Sequence, residues 1–520
     1  MLNYVSKLYK DDARDFDRFL AEMERSDDES ARKTLESYDK ILNDPSLPQR
    51  IADICYWSWV YFYVRNKLLA SPPDVVEDVQ GRKVIDYNKL TTYLIKLFCV
   101  VTFKKIVFIY HNNKFTENDS VIEKTVERVL IHQGVADKRK IRDTTNEVMA
   151  RVIWRTSLYD YPFNRYGKEF IPLKNGVLWR GSEYMLLPHS PVFGYTYCLP
   201  VNYDPNATCP KIEKFISEVV SGENQRILYE IPASCLLQSE EYHHAYMLVG
   251  SGSNGKSTYL KLLEKFLGKE NITNVSLQEL CEDRFKAAQL VGKLANIHAD
   301  LPKHPIKYTG RFKILTGGDR ITVERKYKDP FEFTNTARLI FAANELPEVT
   351  DHSYAFWRRW IVIEFPNKFP PNPDLIKELT TEEELSGFLN KVLEALTRLE
   401  IKGEPTRTET VEKAMEMWMR RANSVYAFVS DCVVSDPKGY ETKDDVYSHY
   451  VEYCEENDLR VLSKNIFASE LQKYAKGVKS GMKRLGGRRV TVWYGIRLKC
   501  DESESSESIA EKDWNLEDIL

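Results

Sequence analysis

The feature that most constrains this chain is a glycine-rich loop, which reads Gly250-Ser251-Gly252-Ser253-Asn254-Gly255-Lys256-Ser257-Thr258. A short apolar run over 245–249 precedes the loop and predicts a buried strand, and apolar residues at helical spacing follow it over 259–267. A strand, this loop and a helix in succession form the context in which the pattern G-x-x-x-x-G-K-[ST] binds phosphate. The sequence therefore predicts a triphosphate site on the loop.

Each part of the loop has a chemical role in such a site. Successive backbone N–H groups point into one concavity, and the start of the helix adds its positive dipole end. The glycines allow the backbone to turn with positive φ and to approach the phosphates closely. We expect Lys256 to reach the β- and γ-phosphates and the Ser257 hydroxyl to ligate Mg²⁺. ATP and Mg²⁺ are therefore the predicted cofactors, held by residues 250–258. A chance match is the alternative, which the flanking elements disfavour.

Composition limits what can surround this site. The 520 residues suggest about three or four domains. The formal net charge is -3, so any nucleic-acid surface must be local. The nine cysteines form no C-x-x-C pair and have no zinc-like spacing, which argues against a disulfide framework and a zinc site. The chain begins without a basic-then-apolar signal pattern, and no apolar run approaches about 18 residues. We expect a protein that is not secreted, has no transmembrane segment and is cytoplasmic.

Changes in composition and in apolar spacing along the chain predict an α/β protein of several regions. Residues 1–105 form a helical N-terminal region of unknown role, and 106–240 form a mixed region. An α/β nucleotide-binding core spans 241–402. A small helical domain with a two-stranded wing spans 410–500, and an acidic disordered tail spans 501–520. Within the mixed region, Asn175-Gly176 between apolar runs predicts a β-hairpin.

A second polar position follows a later strand of the core. Residues 294–299 read as a strand, and Asp300 lies at its end, 44 residues after Lys256, which suits an adjacent strand of the same sheet. A carboxylate there can hold the water shell of Mg²⁺, polarise the attacking water, or do both. Many P-loop motors have two acids in a row here, whereas this sequence reads Ala299-Asp300-Leu301. The simpler alternative is that Asp300 caps a turn.

Two further elements would complete an ATP site. The apolar strand 337–343 ends at Asn344, whose amide can orient the lytic water, although an Asn at a strand end is also ordinary turn chemistry. Arg358 and Arg359 precede the strand 361–365. An arginine here could reach the ATP of a neighbouring subunit and stabilise charge in the transition state. The alternative is a surface arginine stacked on a tryptophan.

In its order of elements, the stretch from about 105 to 400 resembles the superfamily 3 helicases, in their poxvirus- and phage/plasmid-type branch. The matching segments are Phe170-Ile171-Pro172-Leu173-Lys174-Asn175-Gly176-Val177-Leu178, Leu187-Pro188-His189-Ser190-Pro191, Gly252-Ser253-Asn254-Gly255-Lys256-Ser257-Thr258, Leu315-Thr316-Gly317-Gly318-Asp319 and Phe341-Ala342-Ala343-Asn344-Glu345-Leu346-Pro347. The resemblance implies an AAA+-like ATPase core over 241–402, a helicase-associated collar region over 106–240, a homohexameric ring and ATP-driven 3′→5′ translocation on single-stranded DNA.

The resemblance also implies roles for individual residues. It implies that Lys256 and Ser257 are the Walker A residues and that Asp300 is the Walker B residue. It further implies that Asn344 is the sensor asparagine and that Arg358 or Arg359 is the arginine finger. Of the two arginines we favour Arg359 as the finger. Because one acid is absent beside Asp300, the identity of the catalytic base stays open, and Asp300 is also the expected metal partner together with Ser257.

A DNA-contacting hairpin is expected between the Walker B and sensor positions. Superfamily 3 helicases have such a hairpin, which here would span 321–330. The residues agree with this, since strand-like flanks enclose a tip that contains Arg325, Lys326, Tyr327 and Lys328. Basic side chains pair with phosphates and a tyrosine can stack on a base, which grips a single strand without regard to its sequence. The alternative is a solvated charged hairpin.

The small C-terminal domain looks like a winged helix. Predicted helices over 444–457 and 464–474 precede a wing strand over 488–494. Residues 464–499 contain ten basic side chains against one acidic side chain, Glu470. Such a face suits the backbone of duplex DNA. The basic side chains that we assign to DNA contact are Lys473, Lys483, Arg484, Arg488 and Arg489.

The tail reverses this charge, with eight acidic side chains against one basic side chain over 501–520. It could cover the basic face, dock a replication partner, or serve only solubility. At the other end, residues 1–105 contain no paired-acid site with suitable strand context and no zinc motif, so we expect no priming activity.

Three functions are compatible with these features. The main prediction is a replicative DNA helicase of a virus or mobile element, in the cytoplasm or at a replication site of a host cell. An initiator that binds origin DNA and uses ATP as an assembly switch is the second, and the single acid at Asp300 favours slow hydrolysis. A DNA-packaging ATPase acting on duplex DNA is the third.

Overall fold

The computed structural model shows a mixed α/β chain. It describes residues 1–24, 48–158, 163–164, 169–181, 183–238, 242–301, 305–306, 308–326, 330–349, 351, 353–485 and 488–499. Tyr327 and Lys328 of the predicted hairpin tip and the acidic tail 501–520 lie outside these residues. Among the described helices, none combines the length and the apolar character that a membrane crossing requires.

The N-terminal elements are mostly helical. Their bounds are α1 Leu2–Leu8, α2 Ala13–Glu24, α3 Gln49–Ala70, β1 Val76–Val79, β2 Arg82–Ile85, α4 Tyr87–Phe98 and β3 Val101–Phe103. The aromatic run over 51–63 lies within α3, whose inner face packs Ile54, Tyr61 and Val64. Sequence reading missed the β1–β2 hairpin because its strands have four residues each and are largely exposed, which leaves no apolar alternation to detect.

The middle of the chain contains two small sheets, one mixed and one antiparallel, and two long helices. The bounds are β4 Ile106–His111, β5 Lys114–Glu117, α5 Asp119–His132, α6 Lys138–Thr156, β6 Ser157–Leu158, β7 Phe170–Leu173, β8 Gly176–Arg180 and β9 Tyr184–Leu187. One sheet has the order β5-β4-β3-β6 and the other β7-β8-β9. The hairpin predicted at Asn175-Gly176 is confirmed, since β7 and β8 pair antiparallel across it.

The core follows. Its bounds are α7 Pro210–Val219, α8 Asn224–Leu237, β10 Ala245–Val249, α9 Lys256–Leu267, β11 Ile272–Thr273, α10 Leu277–Glu282, α11 Arg284–Ala287, β12 Ala295–His298, α12 Gly310–Gly317, β13 Arg320–Val323, β14 Phe331–Thr334, β15 Arg338–Ala343, α13 Tyr354–Trp357, β16 Trp360–Glu364, α14 Leu375–Leu379 and α15 Glu382–Lys402. Strands β11, β12, β15, β10 and β16 form a parallel sheet in that order. Strands β13 and β14 form a separate antiparallel hairpin.

This strand order corrects one expectation. The spacing from Lys256 to Asp300 suggested that their two strands are neighbours, but β15 lies between β10 and β12. A parallel crossover of a given length can return to any position in the sheet, so spacing alone does not fix adjacency. The consequence is that β15, which ends just before Asn344, is the direct neighbour of the P-loop strand.

The C-terminal elements comprise four helices and three strands. Their bounds are α16 Glu409–Ala422, α17 Ser424–Cys432, β17 Val433–Thr442, α18 Lys443–Glu456, α19 Lys464–Tyr474, β18 Lys479–Leu485 and β19 Arg488–Leu498. The two predicted helices and the wing strand are present, and the expected two-stranded wing has a third strand, in the order β17-β19-β18. Helix α16 packs against the core instead, where Trp418 contacts the rings of Trp357 and Trp360.

Buried polar contacts join the helices beneath the core. Glu384 of α15 is buried and accepts hydrogen bonds from the backbone N–H groups of Lys211 and Ile212, so it caps the start of α7. Gly387, one turn later, lies directly against the backbone of Thr208 and Cys209. Any side chain at this position would have to displace the main chain that enters α7.

We predict that Gly387→Ala strongly destabilises the protein. An added methyl would lie 2.6 Å from the Cys209 nitrogen and still closer to the Thr208 carbonyl, which is overpacking against backbone. The expected loss in free energy of unfolding is about 1–3 kcal/mol or more, measured by urea denaturation. The control is Gly310→Ala at the start of α12, where a methyl has open space and helix propensity should gain up to about 1 kcal/mol. Equal stability of the two variants would contradict the packing at Gly387.

Candidate active site

The P-loop is a tight connection between β10 and α9. Gly255 precedes the helix with φ +88°, and an added Cβ would lie 2.5 Å from Cγ1 of Val219 on α7. Gly252 has φ +102°. The chain after β16 holds the loop from outside, since Phe369 N–H donates to the Ser253 carbonyl at 2.9 Å. The glycines and the neighbouring segments therefore fix the backbone conformation of the loop.

Lys256 is buried at the centre of this loop. Its ammonium donates to the Gly250 carbonyl, to Asn254 Oδ1 at 3.3 Å and to Asn344 Oδ1 at 3.5 Å. Burial holds the pKa of Lys256 below its ordinary value, and the negative charge of Asp300 opposes this shift. Asn254 is fixed in turn, because its Nδ2 donates to the Asn367 carbonyl at 3.1 Å. Lys256 and Asn344 are thus in direct contact.

The carboxyl ends of three parallel strands meet at this edge of the sheet. Val249 of β10 pairs with Ala343 of β15, and His298 of β12 pairs with Phe341 of β15. Asn344 follows β15 directly, and Asp300 follows β12 after one residue; both side chains are exposed. The structure therefore brings Lys256, Asn344 and Asp300 to one edge, as the sequence predicts for an ATP site.

The donor set at this edge fits Mg²⁺. The Ser257 residue at the start of α9 and Asp300 are both exposed on the loop side of the sheet. Mg²⁺ takes one or two protein oxygen ligands when phosphates and water supply the rest. Within the described part of the chain no cluster of three or more metal-ligating side chains occurs, so a site with few protein ligands is the kind that these residues can form.

Two residues at this edge were not singled out from the sequence. Glu364 ends β16, is exposed and lies opposite Val249 in the sheet register. His298 closes β12 with its Nδ1 2.6 Å from Asn274 Oδ1 and its Nε2 3.1 Å from the Asp300 carbonyl oxygen, which fixes the turn carrying Asp300. Neither is part of a short motif, so only the sheet register reveals them.

Arg358 and Arg359 lie at the opposite edge of the sheet. The Arg359 carbonyl accepts from the Ala245 N–H at the start of β10, and β16 begins at the next residue. A strand of five residues spans roughly 16 Å, so this edge is remote from the chain's own P-loop. Arg358 is exposed, whereas Arg359 is buried and donates from Nε to Thr316 Oγ1 at 3.0 Å. This placement moves our preference for a trans-acting arginine from Arg359 to Arg358.

Further basic side chains surround Arg358. Arg407 donates to the Arg358 carbonyl at 2.9 Å, and His243 and His244 are half-buried beside the two arginines. Burial, and then the charges of Arg407 and Arg338, lower the pKa of His244 to about 3. Sequence reading missed this cluster because its members come from three separate segments of the chain.

The predicted hairpin is present, with β13 paired to β14. Lys326 is exposed near its tip. Arg325 is instead engaged inside the molecule, since it forms an ion pair at 2.7 Å with Glu117 at the end of β5 and lies 5.5 Å from the Phe331 ring centroid. The structure describes two of the four predicted tip residues. Lys326 is an exposed cation, and Arg325 is bound to the N-terminal half of the chain.

The basic side chains of the C-terminal domain gather on α19 and the β18–β19 hairpin. Arg484, Arg488 and Arg489 are exposed, and among the described residues no carboxylate forms an ion pair with them. Lys473 forms an ion pair with Glu470, and Lys483 lies 3.1 Å from the Tyr440 ring centroid. The hairpin arginines are thus the most available cations of the set.

Three family models match this chain, in separate segments. "D5 N terminal like" matches residues 93–221, "Family of unknown function (DUF5906)" matches 248–359, and "Poxvirus D5 protein-like" matches 420–503. In two of these segments the chain is thus similar to D5-type proteins. The segment around the P-loop, Asp300 and Asn344 falls within the second match, and the α19–β19 region falls within the third.

Curated relatives of this chain come from viruses. "Putative helicase L207/L206" of Acanthamoeba polyphaga mimivirus is 30% identical over 34% of this chain and 19% of its own length. "Putative helicase 121R" of Invertebrate iridescent virus 3 is 24% identical over 52% of this chain and 30% of its own length. The matched regions thus span less than a third of these two relatives. Among solved structures, the NrS-1 C terminal region is 15% identical over 78% of this chain and 99% of that chain, with a TM-score of 0.47.

The depressed pKa of His244 predicts a pH-dependent stability. In the unfolded chain this imidazole takes up a proton near pH 6.5, whereas in the folded protein it does so only near pH 3. The unfolded state therefore binds more protons between these values, and stability falls as pH is lowered from about 6.5. His244→Gln should remove a part of this fall on the order of 2 kcal/mol at pH 4.5, measured as urea midpoints at pH 7 and 4.5.

The matched control for losing an imidazole is His449→Gln, on the exposed side of α18. The pKa assignment fails if His244→Gln and the intact chain lose stability in parallel over this range.

Proposed function

We propose that this chain is the ATPase motor of a viral replicative DNA helicase, an AAA+-like superfamily 3 enzyme that works as a homohexameric ring and translocates 3′→5′ on single-stranded DNA. The observation that carries the proposal is the division of the site between two edges of one sheet. Lys256, Asn344 and Asp300 lie at the carboxyl edge, and the exposed Arg358 lies at the other. A complete site therefore requires a second subunit.

The residues of one subunit would bind and orient ATP. Backbone N–H groups of the P-loop and the start of α9 receive the phosphates, and Lys256 leaves its contacts with Gly250 and Asn254 to pair with them. Asn344, already 3.5 Å from the Lys256 ammonium, would then be free to orient the attacking water. Asp300 polarises that water, holds the metal shell, or does both. Bound Mg²⁺, held by Ser257 and Asp300, supplies neutralisation of phosphate charge.

The second subunit would supply Arg358. A guanidinium from a neighbour stabilises the charge that develops on the transferred phosphoryl group, so hydrolysis depends on assembly. Arg407 supports this role, because its guanidinium donates to the Arg358 carbonyl and adds positive charge beside Arg358, while its other terminal nitrogen pairs with Glu412. Positive charges placed close together repel each other, so they destabilise the isolated subunit. The negative charge of a triphosphate would compensate this repulsion.

The β13–β14 hairpin would grip single-stranded DNA. Lys326 is its exposed cation, and six copies in a ring would line the channel with positive charge. The C-terminal domain would bind duplex DNA through Arg484, Arg488 and Arg489, like the wing of a winged helix. Docking of a replication partner at the acidic tail 501–520 stays a prediction.

An origin-binding initiator that uses ATP as a switch is the second candidate function. It is favoured by one observation, the single acid in Ala299-Asp300-Leu301, which favours slow hydrolysis. Stimulation of ATP hydrolysis by single strands separates the two functions, because a motor needs it and a switch does not.

The first test is ATP-dependent unwinding of a duplex with a single-stranded tail. We expect the intact chain to unwind a 3′-tailed duplex and to leave a 5′-tailed one paired. Lys256→Ala should abolish hydrolysis, and Arg358→Ala should reduce it by about 10³-fold or more, as loss of a trans-acting finger does. Lys326→Ala should hydrolyse ATP without unwinding.

Mixing separates a trans role of Arg358 from a local one. Equimolar Lys256→Ala and Arg358→Ala chains should regain partial hydrolysis, because some interfaces then pair an intact P-loop with an intact arginine. No recovery in the mixture would argue against a shared site. Hydrolysis and DNA binding by the intact chain without strand separation would replace the helicase by the initiator.

The duplex-binding face makes a separate prediction. Arg488→Ala with Arg489→Ala should weaken binding to tailless duplex DNA and reduce the slope of log affinity against log salt by about two, since two phosphate contacts are lost. The measurement is fluorescence anisotropy at several salt concentrations. Lys377→Ala, a remote exposed lysine on α14, is the control. An unchanged slope in the double variant would remove these arginines from the DNA contact.

A further inference from the structure

Helix α12 connects the two functional parts of the core. It runs from Gly310 to Gly317 and leads through Gly318 and Asp319 directly into β13 of the hairpin. Gly318 has φ +76° and ends the helix in a left-handed turn. Any movement of α12 therefore reaches the root of the hairpin after two residues.

The start of α12 is bound by Asp351. This carboxylate accepts hydrogen bonds from the Thr309 hydroxyl, from the Lys313 ammonium at 2.8 Å and from the Ser353 N–H at 2.9 Å. Burial alone would raise the pKa of Asp351, but these hydrogen bonds outweigh it and hold the pKa well below its usual range. The carboxylate thus stays charged and ties the segment before Arg358 to the first turns of the helix.

The end of α12 is bound by Arg359. Its Nε donates to Thr316 Oγ1 at 3.0 Å, and one terminal nitrogen donates to the Lys313 carbonyl at 3.4 Å. The other terminal nitrogen donates to the Ala355 carbonyl. A Cβ built on Gly317 would lie 3.2 Å from both Arg359 Nη2 and Asp319 Oδ2, so the guanidinium and the carboxylate at the hairpin root face each other across this glycine.

Aromatic packing fills the space between these two ends. The Phe312 ring of α12 stacks on Trp360 with centroids 4.7 Å apart and an angle of 9°, and it lies 5.5 Å from the Phe356 ring. Phe356 and Trp360 are fully buried. Segment 351–360 and α12 therefore form one packed body, with Arg358 exposed on one side and the hairpin attached to the other.

We propose that Arg359 is a positioning residue that transmits the state of a neighbouring subunit's nucleotide from Arg358 to the DNA hairpin through helix α12. This inference rests on the proposed function, because it takes Arg358 as the residue that meets the neighbour's ATP. When Arg358 follows the γ-phosphate, the adjacent Arg359 and the Asp351 contact carry α12 with it. The hairpin then shifts once for each hydrolysis event.

The same contacts explain why Arg359 is unsuited to be the finger itself. Reaching a neighbouring subunit would break three hydrogen bonds from a buried guanidinium and leave Thr316 and the Lys313 carbonyl without that donor. Breaking these hydrogen bonds would leave buried polar groups unpaired, which opposes the movement. Arg358 can move without this loss.

The test measures base pairs separated per ATP hydrolysed. Arg359→Lys places a single ammonium where the guanidinium divides its donors among Thr316 Oγ1 and the Lys313 and Ala355 carbonyls, so it cannot make all three contacts in the same geometry. We expect this variant to keep single-strand-stimulated hydrolysis within about threefold of the intact chain and to lose roughly tenfold in base pairs per ATP. A residue with only a structural role would lower both rates together and leave their ratio unchanged.

Two milder variants keep the proposal testable if Arg359→Lys does not fold. Thr316→Val removes the acceptor for Arg359 at one end of α12, and Asp351→Asn weakens the Lys313 ion pair at the other; each should lower the ratio by at least about fivefold. The matched control is Asp374→Asn, which breaks an exposed ion pair of similar length, 2.9 Å to Lys377, away from α12.

The outcomes separate this inference from the proposed function. A lowered ratio in the α12 variants and an intact ratio in Asp374→Asn support the coupling. An unchanged ratio in Thr316→Val and Asp351→Asn overturns it, while unwinding by the intact chain still upholds the helicase. If the intact chain never separates strands, the proposed function fails and the coupling fails with it.

Discussion

The parallel register of one sheet is the constraint on which the rest of the structure depends. Because β10, β12 and β15 run in the same direction, the residues that follow them meet at one edge, and those that precede them meet at the other. Lys256 and Asn344 touch for this reason, although 88 residues separate them in the chain. Arg358 is excluded from that edge for the same reason. If β16 ran antiparallel to β10, Arg358 would instead lie at the same edge of the sheet as Lys256.

The individual strands and helices of the core could be predicted from the sequence. The order of the strands in the sheet could not. Strand-loop-helix patterning located β10 and α9, because glycines and apolar spacing are local signals. The position of β15 between β10 and β12 depends on where a crossover returns, which no local pattern encodes. The choice between Arg358 and Arg359 was likewise invisible, since it depends on Thr316 being in reach of one guanidinium. The two adjacent arginines differ in burial, since Arg359 is buried and Arg358 is exposed.

The same distinction applies at the ends of the chain. The helices α18 and α19 follow their predicted bounds closely, because capping residues such as Thr442 and a buried apolar face act within a few turns. Helix α16 also carries an amphipathic pattern, but its apolar face packs mainly on β16 of the core. An amphipathic pattern predicts that one face of a helix is buried, but it does not predict which element covers that face.

The ion pair between Arg325 and Glu117 gives ionic strength a double influence on this protein. Both side chains are about one-third exposed, so dissolved salt screens their attraction and loosens the hairpin from β5. The same salt weakens the attraction between the released arginine and a phosphate backbone. Dilute buffer keeps the arginine occupied within the chain, and concentrated buffer frees it when its external target is hardest to hold. Exchange of Arg325 from Glu117 to any external anion would therefore depend less steeply on salt than binding by an unpaired surface arginine.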